Sequence, residues 1–111
     1  MKLLKTIVLA FIAALPALAA SDAVARTQDP VRHGRELVKQ FCARCHSIAR
    51  RGRSPHDDAP PLRYMGRTFD LDVFPRTLER GITATHPAMP EFKFDYEDAR
   101  AVRAYLRTIQ Q

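Results

Sequence analysis

The chain has 111 residues, 18 Lys or Arg against 12 Asp or Glu, for a net charge of +6. That length allows one small domain at most. No Ser/His/Asp set, paired carboxylates or phosphate-binding loop is visible, so no catalytic residue is assigned and the chain is not expected to be an enzyme.

Lys2 and Lys5 precede an almost wholly apolar run from Thr6 to Leu15, followed by Pro16 and the small-residue site Ala17-Leu18-Ala19. This order is that of a secretory signal peptide over residues 1–19, with Ala23-Val24-Ala25 offering an alternative cut after residue 25. The apolar run is shorter than the ~20 residues needed to span a bilayer, so cleavage is expected, with no stable membrane span afterwards. Cleavage after Ala19 leaves 92 residues carrying +4. A single core is marginal near that size, and a bound prosthetic group would supply missing apolar contact. An exported basic protein does not meet nucleic acid. Its charge suits acidic protein surfaces or anionic lipid, or simply keeps it dissolved.

Residues 20–28 read as a flexible leader to a domain over 29–111. Asp29-Pro30 predicts a helix start, because Asp caps and Pro suits the first helical position. Gly34, Leu37, Val38 and Phe41 then share one face, and the helix should run into the cysteines. Ala49 to Pro61, rich in Arg, Asp and Pro, reads as loop. A short helix is expected over Val73 to Arg80, with Pro75 in its first turn and Gly81 as its stop. Ile82 to Phe94, with Pro87 and Pro90, should be extended loop. Asp95 caps a last helix with Glu97 and Asp98 in its first turn and Ala99, Val102, Tyr105, Leu106 and Ile109 on its apolar face. No segment alternates at period two for long enough to make a strand, so the predicted class is all-α.

Cys42-Ala43-Arg44-Cys45-His46 is a C-x-x-C-H pattern, the signature of c-type haem attachment. Residues three apart lie on one side of a helical turn. Two thiols so placed can each add to a vinyl group of one porphyrin, and His46 then lies beneath the ring, facing iron. The rival readings are weaker. A redox C-x-x-C needs a βαβ context, zinc needs two further ligands, and a plain disulfide leaves His46 without a role.

The second axial ligand sets the chemistry of a haem. Met89, 43 residues after His46, lies between Pro87 and Pro90, whose rings restrict the backbone that would present it. Its soft sulfur would raise the potential. Met65 and His86 are the other candidates, and Met89 as core filler is the structural alternative.

These residues resemble the class I single-haem cytochromes c of bacteria over about residues 30–109. Gly34 lies eight residues before Cys42, where the family has a glycine that lets the first helix cross the last. Tyr105-Leu106 resembles the aromatic-Leu pair that meets it. Ala59-Pro60-Pro61-Leu62 is similar to a Gly-Pro-x-Leu segment whose proline carbonyl accepts a hydrogen bond from the proximal histidine, which implies Pro60 and His46 here. Met89-Pro90 matches the family's distal Met-Pro. Ala59 replaces the usual glycine, the segment from Ser47 to Asp58 is Arg-rich, and there is no tryptophan. Tyr64, Arg63 and Arg67 stand where they could replace that tryptophan near a haem propionate.

The resemblance implies a small cytochrome c-like fold around one covalent haem c. It also implies a monomeric periplasmic electron carrier whose iron cycles between Fe(III) and Fe(II) with His46 and Met89 as ligands. A dedicated haem subunit of a periplasmic dehydrogenase is the alternative, and a ligand sensor a third reading. Arg44, Arg50, Arg51 and Arg53 around the motif could meet an acidic redox partner in a respiratory chain.

Overall fold

Asp29 opens helix α1 (Pro30–Phe41) by accepting the Arg32 N–H at 2.9 Å, with Pro30 in the first turn. The computed structural model describes residues 29–82 and 86–111. The expected signal peptide and leader, and Thr83 to Thr85 of the distal loop, lie outside the described residues. α1 buries Gly34, Leu37 and Val38, the face that the apolar spacing picked out. It stops at Cys42, whose N–H still bonds to Val38 O at 2.8 Å.

Helix α2 (Phe74–Arg80) is about two turns long and buries Phe74, Pro75 and Leu78. Gly81 ends it with φ at +106°, a conformation that costs glycine little and other residues more. Helix α3 (Tyr96–Ile109) starts at Asp95, which accepts the Asp98 N–H at 2.8 Å. Glu97 and Asp98 sit in its first turn, where the helix dipole favours anions.

α1 packs on α3 more extensively than any other pair of elements, and α2 leans on α3 beside it. The α1–α3 crossing is closest at Gly34. A Cβ built there would lie 1.8 Å from Ala101 O and 3.0 Å from Val102 N, so only glycine permits the approach. This contact falls one turn before Tyr105-Leu106, the pair that the family pattern suggested. Tyr105 reaches past the crossing and its hydroxyl donates to Ile48 O at 2.6 Å. His33 Nε2, 2.6 Å from Asp98 Oδ1, ties the two helices at the rim.

One element had no sequence expectation: a 3₁₀ helix over Leu62–Arg67. It is held to the end of α3 through Gln110, whose Oε1 accepts the Gly66 N–H at 2.7 Å and whose Nε2 donates to Leu62 O at 3.0 Å. The distal loop returns to the core by one antiparallel bridge, Ile82 N–H to Phe92 O at 2.9 Å, and by Phe94 N–H to Leu78 O at 3.1 Å. Beyond that isolated bridge no strand occurs among the described residues. The fold is therefore all-α, with its core between α1, α2 and α3.

Candidate functional site

The turn that follows α1 places the motif. Cys45 N–H and His46 N–H both bond back to Cys42 O, at 3.2 and 2.9 Å, which curls the five residues into one turn. Cys42 and Cys45 are free thiols at intermediate burial. Cys42 packs against the core together with Phe41, Ile48, Leu62, Met65, Ile82 and Phe94, which form its half-buried apolar edge. Burial pushes the Cys42 thiol up to about 11, so near neutral pH its sulfur carries a proton. Addition of S–H across a vinyl group uses that proton and expels no leaving group.

His46 Nδ1 lies 2.7 Å from Pro60 O. A carbonyl only accepts, so Nδ1 carries the hydrogen and the Nε2 lone pair is left to bind a metal. A backbone carbonyl in that position also fixes the ring and makes it a stronger donor. The loop that carries Pro60 is pinned beneath the motif by Leu62 N–H to Ser47 O at 2.9 Å and His56 N–H to Cys45 O at 3.1 Å. Two thiols on one turn, one imidazole with a free nitrogen and an apolar edge fit a covalently attached haem. Among the described residues no group of three or more His, Cys, Asp or Glu could hold a bare metal ion, which the zinc reading requires.

The three candidates for the opposite ligand differ in surroundings. His86 is engaged at both nitrogens: Nδ1 accepts the Ala88 N–H at 3.2 Å, and Nε2 is 3.5 Å from Asp58 Oδ2. Its ring also meets that of His56 edge-on at 5.7 Å. Met65 is packed against the core from the 3₁₀ helix. Met89 is half-buried in a tight turn closed by its own N–H to His86 O at 3.1 Å.

Arg44, Arg50, Arg51 and Arg53 are exposed. The backbone of their loop is nevertheless fixed. Arg63 Nη1 donates to Gly52 O at 2.9 Å and Ser47 Oγ at 3.2 Å, and Gln111 Nε2 donates to Arg50 O at 2.8 Å. Arg63 and Arg67 also flank the Tyr64 ring, 4.7 and 4.4 Å from its centroid. The hydrogen bond and positive charge of Arg63, with a smaller effect from Arg67, hold the phenol below its ordinary range. Arg63, Gln110 and Gln111 thus frame the site although no short motif marks them, since each acts on residues far away in sequence.

The model of the family described as "Cytochrome C oxidase, cbb3-type, subunit III" matches residues 29–106. A curated relative, "Cytochrome c-552" of Bradyrhizobium diazoefficiens, is 29% identical over 94 residues, covering 85% of this chain and 88% of that protein. No solved structure matches.

Proposed function

Because the chain belongs to the monohaem cytochrome c family, in the group described as cbb3-type oxidase subunit III, and so carries one covalent haem c, we propose that it is a periplasmic one-electron carrier of a Gram-negative respiratory chain. Cys42 and Cys45 hold the haem, and His46 and Met89 are the axial ligands of its iron. The haem supplies the Fe(III)/Fe(II) couple. Everything else is done by the chain. Pro60 O orients His46 through the 2.7 Å bond to Nδ1, the observation that carries this reading. Phe41, Ile48 and Leu62, half-buried at the edge of the core, supply apolar surface for the haem to cover. Pro87 and Pro90 limit the poses of Met89, and the engagement of both His86 nitrogens and the core packing of Met65 favour Met89 over either rival. Tyr64, between Arg63 and Arg67, is the natural neighbour for a haem propionate. The signal peptide over 1–19 accounts for export. The exported chain works as a monomer, and exposed Arg44, Arg50, Arg51 and Arg53 meet an acidic face on the redox partner.

The near-red absorption of the oxidised protein tests the ligand pair. A weak iron–thioether charge-transfer band should be present and should vanish in Met89→Ala. A band that survives that substitution would move the ligand to Met65 and defeat this account of the distal loop.

A further inference from the structure

On the flank formed by α2, α3 and the turn before α2, the helical repeat gathers a second set of charges, none of them in the haem-binding set. Arg76 and Arg80 are four apart on α2, and Arg100 and Arg103 are three apart on α3, so each pair shares a face. The two faces border one cleft of about 650 Å³, lined also by Asp72, Glu79 and Tyr96. Asp72 is fastened across it to Arg103 Nη1 at 3.3 Å and to Arg107. Among the described residues no carboxylate lies within ion-pair distance of Arg76, Arg80 or Arg100. Arg103 Nε is shielded from solvent and has no hydrogen-bond partner. An N–H in that position loses water without a replacement, so Asp72 leaves part of the Arg103 donor capacity unused. Arg100 lies over the Tyr96 ring, 4.9 Å from its centroid, at one side of the cleft.

We propose that this cleft binds a phosphate-bearing anion. Four guanidinium groups against two carboxylates leave the lining two charges positive. Guanidinium forks approaching from two helices suit a tetrahedral oxyanion, which accepts from several directions, better than a planar carboxylate, which accepts along one edge. The cleft has room for two linked phosphoryl groups or for a lipid headgroup. Phosphate-group recognition is common to both sources.

Calorimetry on the haem-loaded protein at fixed ionic strength, with pyrophosphate as the probe, tests this. Phosphatidylcholine vesicles with and without phosphatidylglycerol form the second arm. Arg76→Gln/Arg100→Gln should weaken binding by about tenfold or more, the equivalent of one lost charge-assisted bond. Arg50→Gln/Arg51→Gln, with the same charge change elsewhere, should leave it within about twofold. Arg80→Gln alone should weaken it in the same direction, which guards against a folding defect in the double variant. Pyrophosphate binding lost in the α2–α3 variants assigns a free phosphate ligand. Capture by anionic vesicles alone, lost in the same variants, assigns a headgroup. Equal losses in both double variants would reduce the effect to diffuse charge and overturn the site, as would no binding in either arm. A polyglutamate peptide that binds as tightly and with the same variant dependence would overturn the phosphate assignment.

Discussion

One methyl group separates a crossing that closes from one that cannot. Gly34→Ala would place a carbon 1.8 Å from Ala101 O, and backbone cannot yield as a flexible side chain does. α1 must lift from α3, and overpacking of this kind costs about 3 kcal/mol. Guanidinium unfolding of the haem-loaded variant should show a loss of that size, and a loss below about 0.5 kcal/mol would mean the helices do not meet there. Gly34 could be picked out from sequence because its spacing to Cys42 is local. The partner atoms, Ala101 O and Val102 N, could not, because the register between two helices is set by packing across the whole interface. The same holds for Tyr105, read as one of the apolar residues of α3. Its ring is buried, and its hydroxyl is spent on Ile48 O, in the segment that follows the haem motif.

At the level of elements, α1 and α3 were legible because each carries a capping Asp and an apolar stripe at helical period. α2 was legible from Pro75 and Gly81. The 3₁₀ helix was not: six residues with no buried side chain carry no periodic signal. Gln110, which also donates to Leu106 O at 2.8 Å, ties it to α3, beside the packing of Leu62 and Met65 on the core. Gln110→Ala should therefore strip an acceptor from Gly66 N–H and a donor from Leu62 O, a cost of about 1–2 kcal/mol. Amide exchange should localise the effect. The Gly66 amide should exchange faster in the variant while amides in the middle of α1 change only with global stability. Unchanged protection at Gly66 would show that the 3₁₀ helix stands without the glutamine. The candidate site divides in the same way. Cys42, Cys45 and His46 stand together in sequence, as do Pro87 to Pro90, whereas the brace from Arg63 to Gly52 O and Ser47 Oγ exists only once the loop has folded over it.

At the scale of the molecule, ten hydrophobic residues are buried among the described residues, two of them alanine. Domains of this size are marginal on such a core. A Cys42→Ala/Cys45→Ala chain, which cannot form the thioether links, should lose most of its helical circular dichroism at 25 °C. A full helical signal with a cooperative melt would show that the protein part folds unaided. The charge distribution makes a separate prediction. Arg50 and Arg51 are exposed on a loop whose backbone is pinned by Arg63 and Gln111, so their Cα positions near the motif are fixed while their side chains face solvent. Arg50→Glu/Arg51→Glu should slow electron transfer with the physiological partner by about tenfold or more at low salt. The difference should shrink as ionic strength shortens the reach of the charges to about 10 Å at 0.1 M. An unchanged rate would remove this loop from the docking face.

The covering of Cys42 follows an order in time as well as in space. The core that Cys42 packs against includes residues of α3, which lies far downstream of the motif in the chain. A polypeptide is made from its N-terminal end, so both cysteines precede the whole of α3 in synthesis. Cys42, half-buried once the core has packed, is therefore more open to attachment chemistry before the crossing at Gly34 locks than after it.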